Sequence, residues 1–332
     1  MLKLRKFDQG SFIAGAAAIA AAVLAPGAAI ADDLVRLGNL KFAHYGAVSY
    51  MKEVCPKYHI KIDEKVFAKG IDILPAVAAG EIDITASGLD GSIAGRAQGL
   101  PVYIVASFAK GGVRIVATPE SGIKSIADLK GKKVGVARGG TQELAVLTEL
   151  DKYGLSWSDK PGKDVQLVYL GGYPDVNQAL QGKNVDAMSQ SEPYSSQAIN
   201  KGYGVEVVKP YDTPMGQPAR GFVMTEKLYN NRDVALRVMK CFVDSTQQFI
   251  KHPELAEKYV KEVIFKNQIT SQDFKDAIEN SPYSVDLTVE HVQITTDYMQ
   301  KLNVGRMANP PKASDFVKLD LLQEAVASVA TN

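Results

Sequence analysis

Tryptophan is almost absent from these 332 residues: Trp157 stands alone, so a flat solute stacked on indole finds no partner in the loops that follow the predicted strands. Histidine is nearly as scarce, at His44, His59, His252 and His291, and no two stand at a spacing that brings imidazoles onto one metal ion. No metal or cofactor is expected. The G-x-S-x-G elbow, the P-loop and G-x-G-x-x-G are missing, which removes the usual signatures of esterases and of nucleotide or dinucleotide binding. Charge of one sign is lacking too, with 38 Lys and Arg against 37 Asp and Glu, a net +1. Nucleic-acid binding needs a strong basic footprint and is excluded. Nothing repeats along the chain in the way a structural or adhesive array requires.

A long apolar run is also wanting, since a membrane helix takes roughly 20 uninterrupted residues. The stretch 12–24 is shorter, follows Lys3, Arg5 and Lys6, and ends at Pro26-Gly27 before Ala29-Ile30-Ala31. That is the pattern of a secretory signal with cleavage after Ala31. No cysteine follows at which a lipid could be attached, and Arg5-Lys6 is not a twin arginine, so ordinary export and a free periplasmic protein are expected. Without residues 1–31, which hold three bases and one acid, the balance becomes −1. The two cysteines, Cys55 and Cys241, would then sit in a compartment that permits disulfides. Both fall in predicted helices, and buried free thiols are the favoured reading over a bridge.

The chain is 46 % hydrophobic and 23 % charged, enough to bury large cores and to divide into about two domains. Strands and helices alternate: strand 34–37, helix to about 57, strand 60–67, helix 71–79 stopped by Gly80, strand 82–86, then strands 102–108 and 113–117. A second cycle follows, with strands 133–137, 165–170, 185–188 and 205–208 and helices 141–153, 174–181 and 193–201. Short strands separated by helices of about ten residues predict parallel βαβ units, hence an α/β fold. "AVAAGEIDITAS" (76–87) and "NQALQGKNVDAMSQS" (177–191) share one logic: a helix ends on glycine, and an apolar-Asp-apolar strand delivers small polar side chains. Two similar lobes or a chance likeness both account for it. Beyond Gly221 comes a strand, 222–224, and then only amphipathic helices, 234–250, 253–263, 271–279, 288–302 and 321–329, which must pack on a lobe already built.

Open α/β sheets bind ligands at the carboxyl ends of their strands. One such end is "VGVARGGTQE" (134–143). Its glycines allow a tight turn, and the first amides of the Thr141 helix lack intrahelical partners and carry the positive end of the helix dipole. That end contributes about 0.3 to 1 kcal/mol when exposed, so an anion bound there needs help, which the planar fork of Arg138 would supply. The loop alone allows equally that Thr141 merely caps, the glycines merely turn and Arg138 is solvated.

"IADLKGKKVGVARGGTQE" (126–143), with "GEIDITASGLDGSIAGRAQGLPVYIVASF" before it and "LQGKNVDAMSQSEPY" after it, resembles the periplasmic substrate-binding proteins of the nitrate, taurine and alkanesulfonate ABC importers, a group that includes thiamine-pyrimidine binders. The resemblance runs over nearly all of the chain after residue 31. It implies a two-lobed binding protein of type II, each lobe a mainly parallel sheet flanked by helices, with the ligand cleft between them. Lobe I would be 32–115 plus 215–332 and lobe II 116–214, joined by two hinge strands. The partners implied are one small solute and a permease in the inner membrane, and monomer is the default.

By the same resemblance the ligand contacts are Phe42, His44, Tyr45, Lys69, Ser87, Leu89 and Asp90 on the first lobe. On the second they are Arg138, Gly139, Gly140, Thr141, Ser189, Gln190 and Glu192, with Arg220 near the second hinge crossing. Each has a plainer reading: His44 packs beneath its loop, Lys69 is solvated, Asp90 caps a helix starting near Gly91, and Glu192 caps before Pro193. Asp90 and Glu192, if they face the cleft, repel a lone inorganic anion. They favour a taurine-like zwitterion or a larger organic sulfonate, with Phe42 and Tyr45 as the apolar wall; nitrate fits worst. A pyrimidine or other heteroaromatic solute is the alternative. Pyrimidine synthases share the fold and His44 would serve acid-base work there, but export disfavours an enzyme, and binding without chemistry is expected.

Overall fold

The computed structural model describes residues 32–209 and 219–329. The expected signal segment with its cleavage after Ala31, and the lobe division at 214/215, lie outside the described residues. Eleven strands are formed among them: β1 (Asp33–Leu40), β2 (Ile60–Phe67), β3 (Ile84–Gly88), β4 (Val102–Lys110), β5 (Val113–Ala117), β6 (Lys132–Ala137), β7 (Trp157–Ser158), β8 (Val165–Leu170), β9 (Ala187–Ser191), β10 (Val205–Val208) and β11 (Ala219–Thr225). They make two sheets, ordered β2-β1-β3-β11-β4 and β10-β5-β9-β6-β8-β7.

The two orders correspond. In the first sheet β2, β1 and β3 run parallel, as do β8, β6 and β9 in the second. Outside β3 lies antiparallel β11, and outside β9 lies antiparallel β5. Both of these strands reach their sheet from the other lobe, so β3 and β9, the strands of the two similar segments, hold equivalent central places. The sheets are therefore mixed: antiparallel pairing is confined to the crossing strands and their outer neighbours β4 and β10.

β5 pairs wholly within the second sheet, so the first crossing lies at Gly111-Gly112 rather than at the expected division 115/116. Both glycines adopt left-handed φ angles, 59° and 87°. A Cβ on Gly112 would also come within 2.6 Å of Ser281 Oγ, so conformation and space both require glycine there.

The helices after β11 pack on the first lobe. Helix Arg232–Lys251 lies against helices Gly46–Val54 and Asp320–Val329, its buried stripe including Val238, Phe242 and Phe249. The cysteines do not remain free: Cys55 and Cys241 are bonded, with Cα atoms 5.1 Å apart. The chain between them closes a loop of 186 residues, and by the chain-entropy argument such a link stabilises by about 5 kcal/mol. Among the described residues no helix is long and apolar enough to cross a membrane.

Candidate functional site

The carboxyl ends of the strands face one cavity between the lobes. From the first lobe come the loop after β1 (Phe42, Tyr45), Gly70, the end of β3 (Thr85, Ser87, Gly88) with Asp90, and Arg220 of β11. From the second come Gly139, Gly140, Thr141, Gln142 and Tyr173. Gly88 is required by the approach of the lobes, because a Cβ there would lie 2.0 Å from Thr141 Oγ1.

Asp90 stands in the first turn of helix Leu89–Ala97, whose N-cap is Gly88. Its Oδ1 accepts a 2.6 Å hydrogen bond from Thr141 Oγ1 across the cleft. Burial pushes the Asp90 carboxyl above the usual carboxylate range, against the opposing pull of the Thr141 bond and the Arg220 charge. Arg220 is 2 % exposed. Its Nη2 donates to Ser191 Oγ at 3.1 Å, while its Nε has no partner among the described residues. No ion pair joins Arg220 to Asp90 among those residues. A buried guanidinium and a buried carboxylate thus share the cavity without neutralising one another at contact, an arrangement that is costly unless something else meets them.

The aromatic wall spans both lobes. The Phe42 ring lies 5.4 Å from Tyr45, 4.6 Å from Tyr173 and 5.9 Å from Tyr194. Burial raises the Tyr173 phenol to about 12 and the Tyr45 phenol also, so both stay protonated and can donate at neutral pH.

Seven of the expected residues lie outside the lining, Arg138, Glu192, His44, Lys69, Leu89, Ser189 and Gln190, and the first two are turned to other partners. Arg138 does not enter the cavity: its side chain is 56 % exposed, pairs with Asp159 at 3.3 Å, and stacks 3.6 Å from the centre of the Tyr169 ring. Tyr169 lies on neighbouring β8, opposite Val136, and its ring face together with an exposed carboxylate draws the guanidinium outward. Glu192 turns away as well. It is fully buried against Arg114 Nε at 2.5 Å and Ser196 Oγ at 2.6 Å, answering a buried cation instead of a solute. The argument for a zwitterion from two carboxylates thus reduces to Asp90.

The helix end is also less vacant than the motif suggests. The Glu143 carboxylate accepts from the Gly139 amide at 2.5 Å and from the Tyr169 hydroxyl at 2.6 Å, placing a negative charge against the helix dipole. The amides of Gly140, Thr141 and Gln142 have no acceptor among the described residues. Gly139 and Gly140 do line the cavity, but as a close backbone wall.

The other expected residues divide between lining and support. Ser87 lines the cavity and shares a 3.2 Å contact with Ser92. Leu89 and Lys69 are not in the lining; Leu89 packs over Gly221. Ser189 donates to the carbonyl of Gln142 at 2.7 Å, and Gln190 Nε2 to the carbonyl of Tyr173 at 2.8 Å, so both hold lining residues in place. His44 is fully buried outside the lining, stacked on Phe42, with neither ring nitrogen partnered. Burial and the Arg220 charge hold its pKa well below the usual value, which keeps it neutral. Among the described residues no three His, Cys, Asp or Glu side chains converge as a metal site.

Tyr173, Gln142, Ser191 and Thr85 escaped the sequence reading. Tyr173 carried a usable signal, since Gly171-Gly172 before it repeats the strand-glycine-helix arrangement of Gly139-Gly140. Ser191 is reached only through folding: it receives Gln142 Nε2 at 2.8 Å and Arg220 from the opposite lobe.

Two mixed α/β sheets with strand exchange at the crossings and a cleft between them define the two-lobed periplasmic binding-protein fold of type II. Similar solved structures include the alkanesulfonate-binding protein SsuA from Xanthomonas axonopodis pv. citri bound to MOPS (TM-score 0.73, 19 % identity, 88 % of this chain and 100 % of that one). The periplasmic nitrate-binding protein NrtA from Synechocystis PCC 6803 is similar in fold too (TM-score 0.74, 15 % identity, 91 % and 90 %). Residues 35–264 match the model of the NMT1-like family, and the chain belongs to that family. The "Putative aliphatic sulfonates-binding protein" of Escherichia coli (strain K12) is 34 % identical over 151 residues, 45 % of this chain and 45 % of that protein. The chain spans about half the length of the curated relatives it matches.

Proposed function

We propose that this protein is the periplasmic solute-binding component of an ABC importer, which captures a small organic anion or zwitterion by closure of its lobes and delivers it to a permease in the inner membrane. The observation that carries this reading is Arg220, a guanidinium buried in the wall of the interlobe cavity with its Nε unpaired. Buried charges are normally met by a counter-charge, and an organic sulfonate or carboxylate would meet this one through the guanidinium fork. Asp90 on the same cavity favours a solute that also carries a cationic or hydrogen-donating group, as taurine does, and disfavours nitrate.

Closure would follow from hinge motion at Gly111-Gly112 and at the second crossing. The closed arrangement joins Asp90 to Thr141 and Arg220 to Ser191, so residues that touch the solute also touch the opposite lobe. The solute is held and released unchanged, the protein acts as a monomer, and export through the segment 1–31 places it where the solute arrives. The sulfonate-binding relative supports the class of solute.

The test is a thermal-shift screen of protein stripped of bound solute against nitrate, bicarbonate, taurine, alkyl and aryl sulfonates, aromatic carboxylates and pyrimidines. A ligand at 100 times its Kd adds about 2.7 kcal/mol. A sulfonate or zwitterion hit that is lost in Arg220→Ala supports the reading. A response to pyrimidines alone favours the heteroaromatic alternative, and turnover of a hit into product would make the protein an enzyme.

A further inference from the structure

A second polar group, buried in a residue of the cavity wall, has no partner. Thr85 is 5 % exposed, lines the cavity, and its hydroxyl makes no hydrogen bond among the described residues. Arg220 pairs with Gly88 across β3 and β11, and Thr85 pairs with Val223. Three residues of strand separate the two positions, about 10 Å at the usual rise per residue. Between them Ser87 also lines the cavity, its hydroxyl already 3.2 Å from that of Ser92, and the rest of the wall is apolar: Leu40 of β1, Val102 of β4, Val223 of β11, and Ile73 and Val77 of helix Ile73–Ala78. All five are largely buried.

A hydroxyl left unpaired inside such a wall is a cost that a bound partner removes. A solute that carried only an anionic head would satisfy Arg220 and leave the apolar compartment and the Thr85 hydroxyl unmet. We propose that the solute is bipolar, with its anionic group on Arg220, a short hydrocarbon segment along the apolar wall inside the first lobe, and a hydrogen-bonding atom at its far end paired with Thr85 Oγ1. This rests on Arg220 as the anion partner and goes further by assigning the other end of the solute. Asp90, two residues beyond the Gly88 that pairs with Arg220 and bonded to Thr141, takes a donor near the head, not the far end.

The experiment is calorimetric titration of the purified, solute-stripped protein with two matched pairs: butane-1-sulfonate with 4-hydroxybutane-1-sulfonate, and pentanoate with 5-hydroxypentanoate. Thr85→Val keeps the shape of the side chain and removes its hydroxyl. The ratio of hydroxylated to unhydroxylated affinity should fall roughly threefold to tenfold in Thr85→Val for at least one pair. A ratio unchanged within about twofold in both pairs, with binding still dependent on Arg220, overturns the inference and leaves the function standing. Leu74→Phe is a second variant, at a half-buried lining residue where a larger ring narrows the cavity, with thermal denaturation as the control for folding. It should weaken both four-carbon sulfonates by roughly tenfold or more while leaving methanesulfonate within about twofold; equal weakening of methanesulfonate overturns the inference. If no probe of either pair binds the wild-type protein, this inference is overturned, while the functional reading is decided by the wider thermal-shift screen.

Discussion

Replacing Arg220 separates the two arginines on which an anion-binding reading of this chain can rest. Arg220 is buried, lines the cavity, and its only polar partner among the described residues is Ser191. Removing the guanidinium takes away one or two charge-assisted hydrogen bonds, about 1.5 to 3 kcal/mol each. It also leaves the buried Asp90 carboxylate facing the anion alone, and truncating one side of a buried charge pair costs about 2 to 5 kcal/mol. Even the lower ends of these costs, about 3.5 kcal/mol together, mean that Arg220→Ala should raise Kd for a sulfonate by roughly 300-fold or more, where each 1.4 kcal/mol is tenfold. Arg220→Lys keeps the charge without the planar fork and should fall between. Arg138→Ala removes an exposed pair with Asp159, 56 % and 53 % exposed, of a kind that contributes about 0 to 1 kcal/mol to stability, so Kd should not move. Isothermal titration with taurine and butane-1-sulfonate reads both, with thermal denaturation as the control for folding. Loss of binding in Arg138→Ala together with its retention in Arg220→Ala would refute the reasoning.

Asp90→Asn should weaken a zwitterion by roughly tenfold and strengthen a simple anion such as methanesulfonate, read by the same titration; a change of the same sign for both solutes would contradict the role given to Asp90. Burial raises the Asp90 pKa, so its charge is expensive in the folded, closed form. The stability this group contributes is therefore present below its ordinary pKa and is lost as pH rises through the raised value. Affinity for a simple anion should accordingly increase as pH falls through that window, and the increase should vanish in Asp90→Asn. Paired Cys55→Ser and Cys241→Ser substitutions should lower unfolding free energy by up to about 5 kcal/mol without changing Kd at 25 °C, and urea denaturation with and without reductant would reveal a failure. Glu192→Gln should destabilise by about 3 kcal/mol, because Arg114 stays buried beside the lost charge, while solute affinity stays within about twofold; a selective loss of binding would return Glu192 to the site.

Much of the architecture was legible from periodicity. Strands 60–67, 113–117, 165–170 and 205–208 were read with the bounds that β2, β5, β8 and β10 have, because each alternates or runs apolar between glycine and polar breaks. β9 was read two residues early, as 185–188, since its second half is Ser189-Gln190-Ser191, polar side chains buried by the lobe interface and by hydrogen bonds that no local pattern announces. The loop after β6 was placed at the cavity by the rule that open sheets bind at their strand ends, and the loops after β1 and β3 by the resemblance. Side-chain direction was beyond that rule. Arg138 and Arg220 are both arginines beside glycine at a strand end, yet one turns onto Tyr169 and the other into the cavity.

By itself the order of residues determined where strands give way to helices, since this depends on hydrophobic spacing and glycine within a few positions; two lobes and the loops that meet between them were implied by the resemblance. Tertiary structure alone decided which charges meet a solute. Arg114 claimed Glu192, Tyr169 and Asp159 claimed Arg138, and Asp90 and Arg220 were left facing one cavity. The ionic partners lie 21 residues away for Arg138 and 78 for Arg114, and burial rather than adjacency sets what leaving a charge unmatched costs.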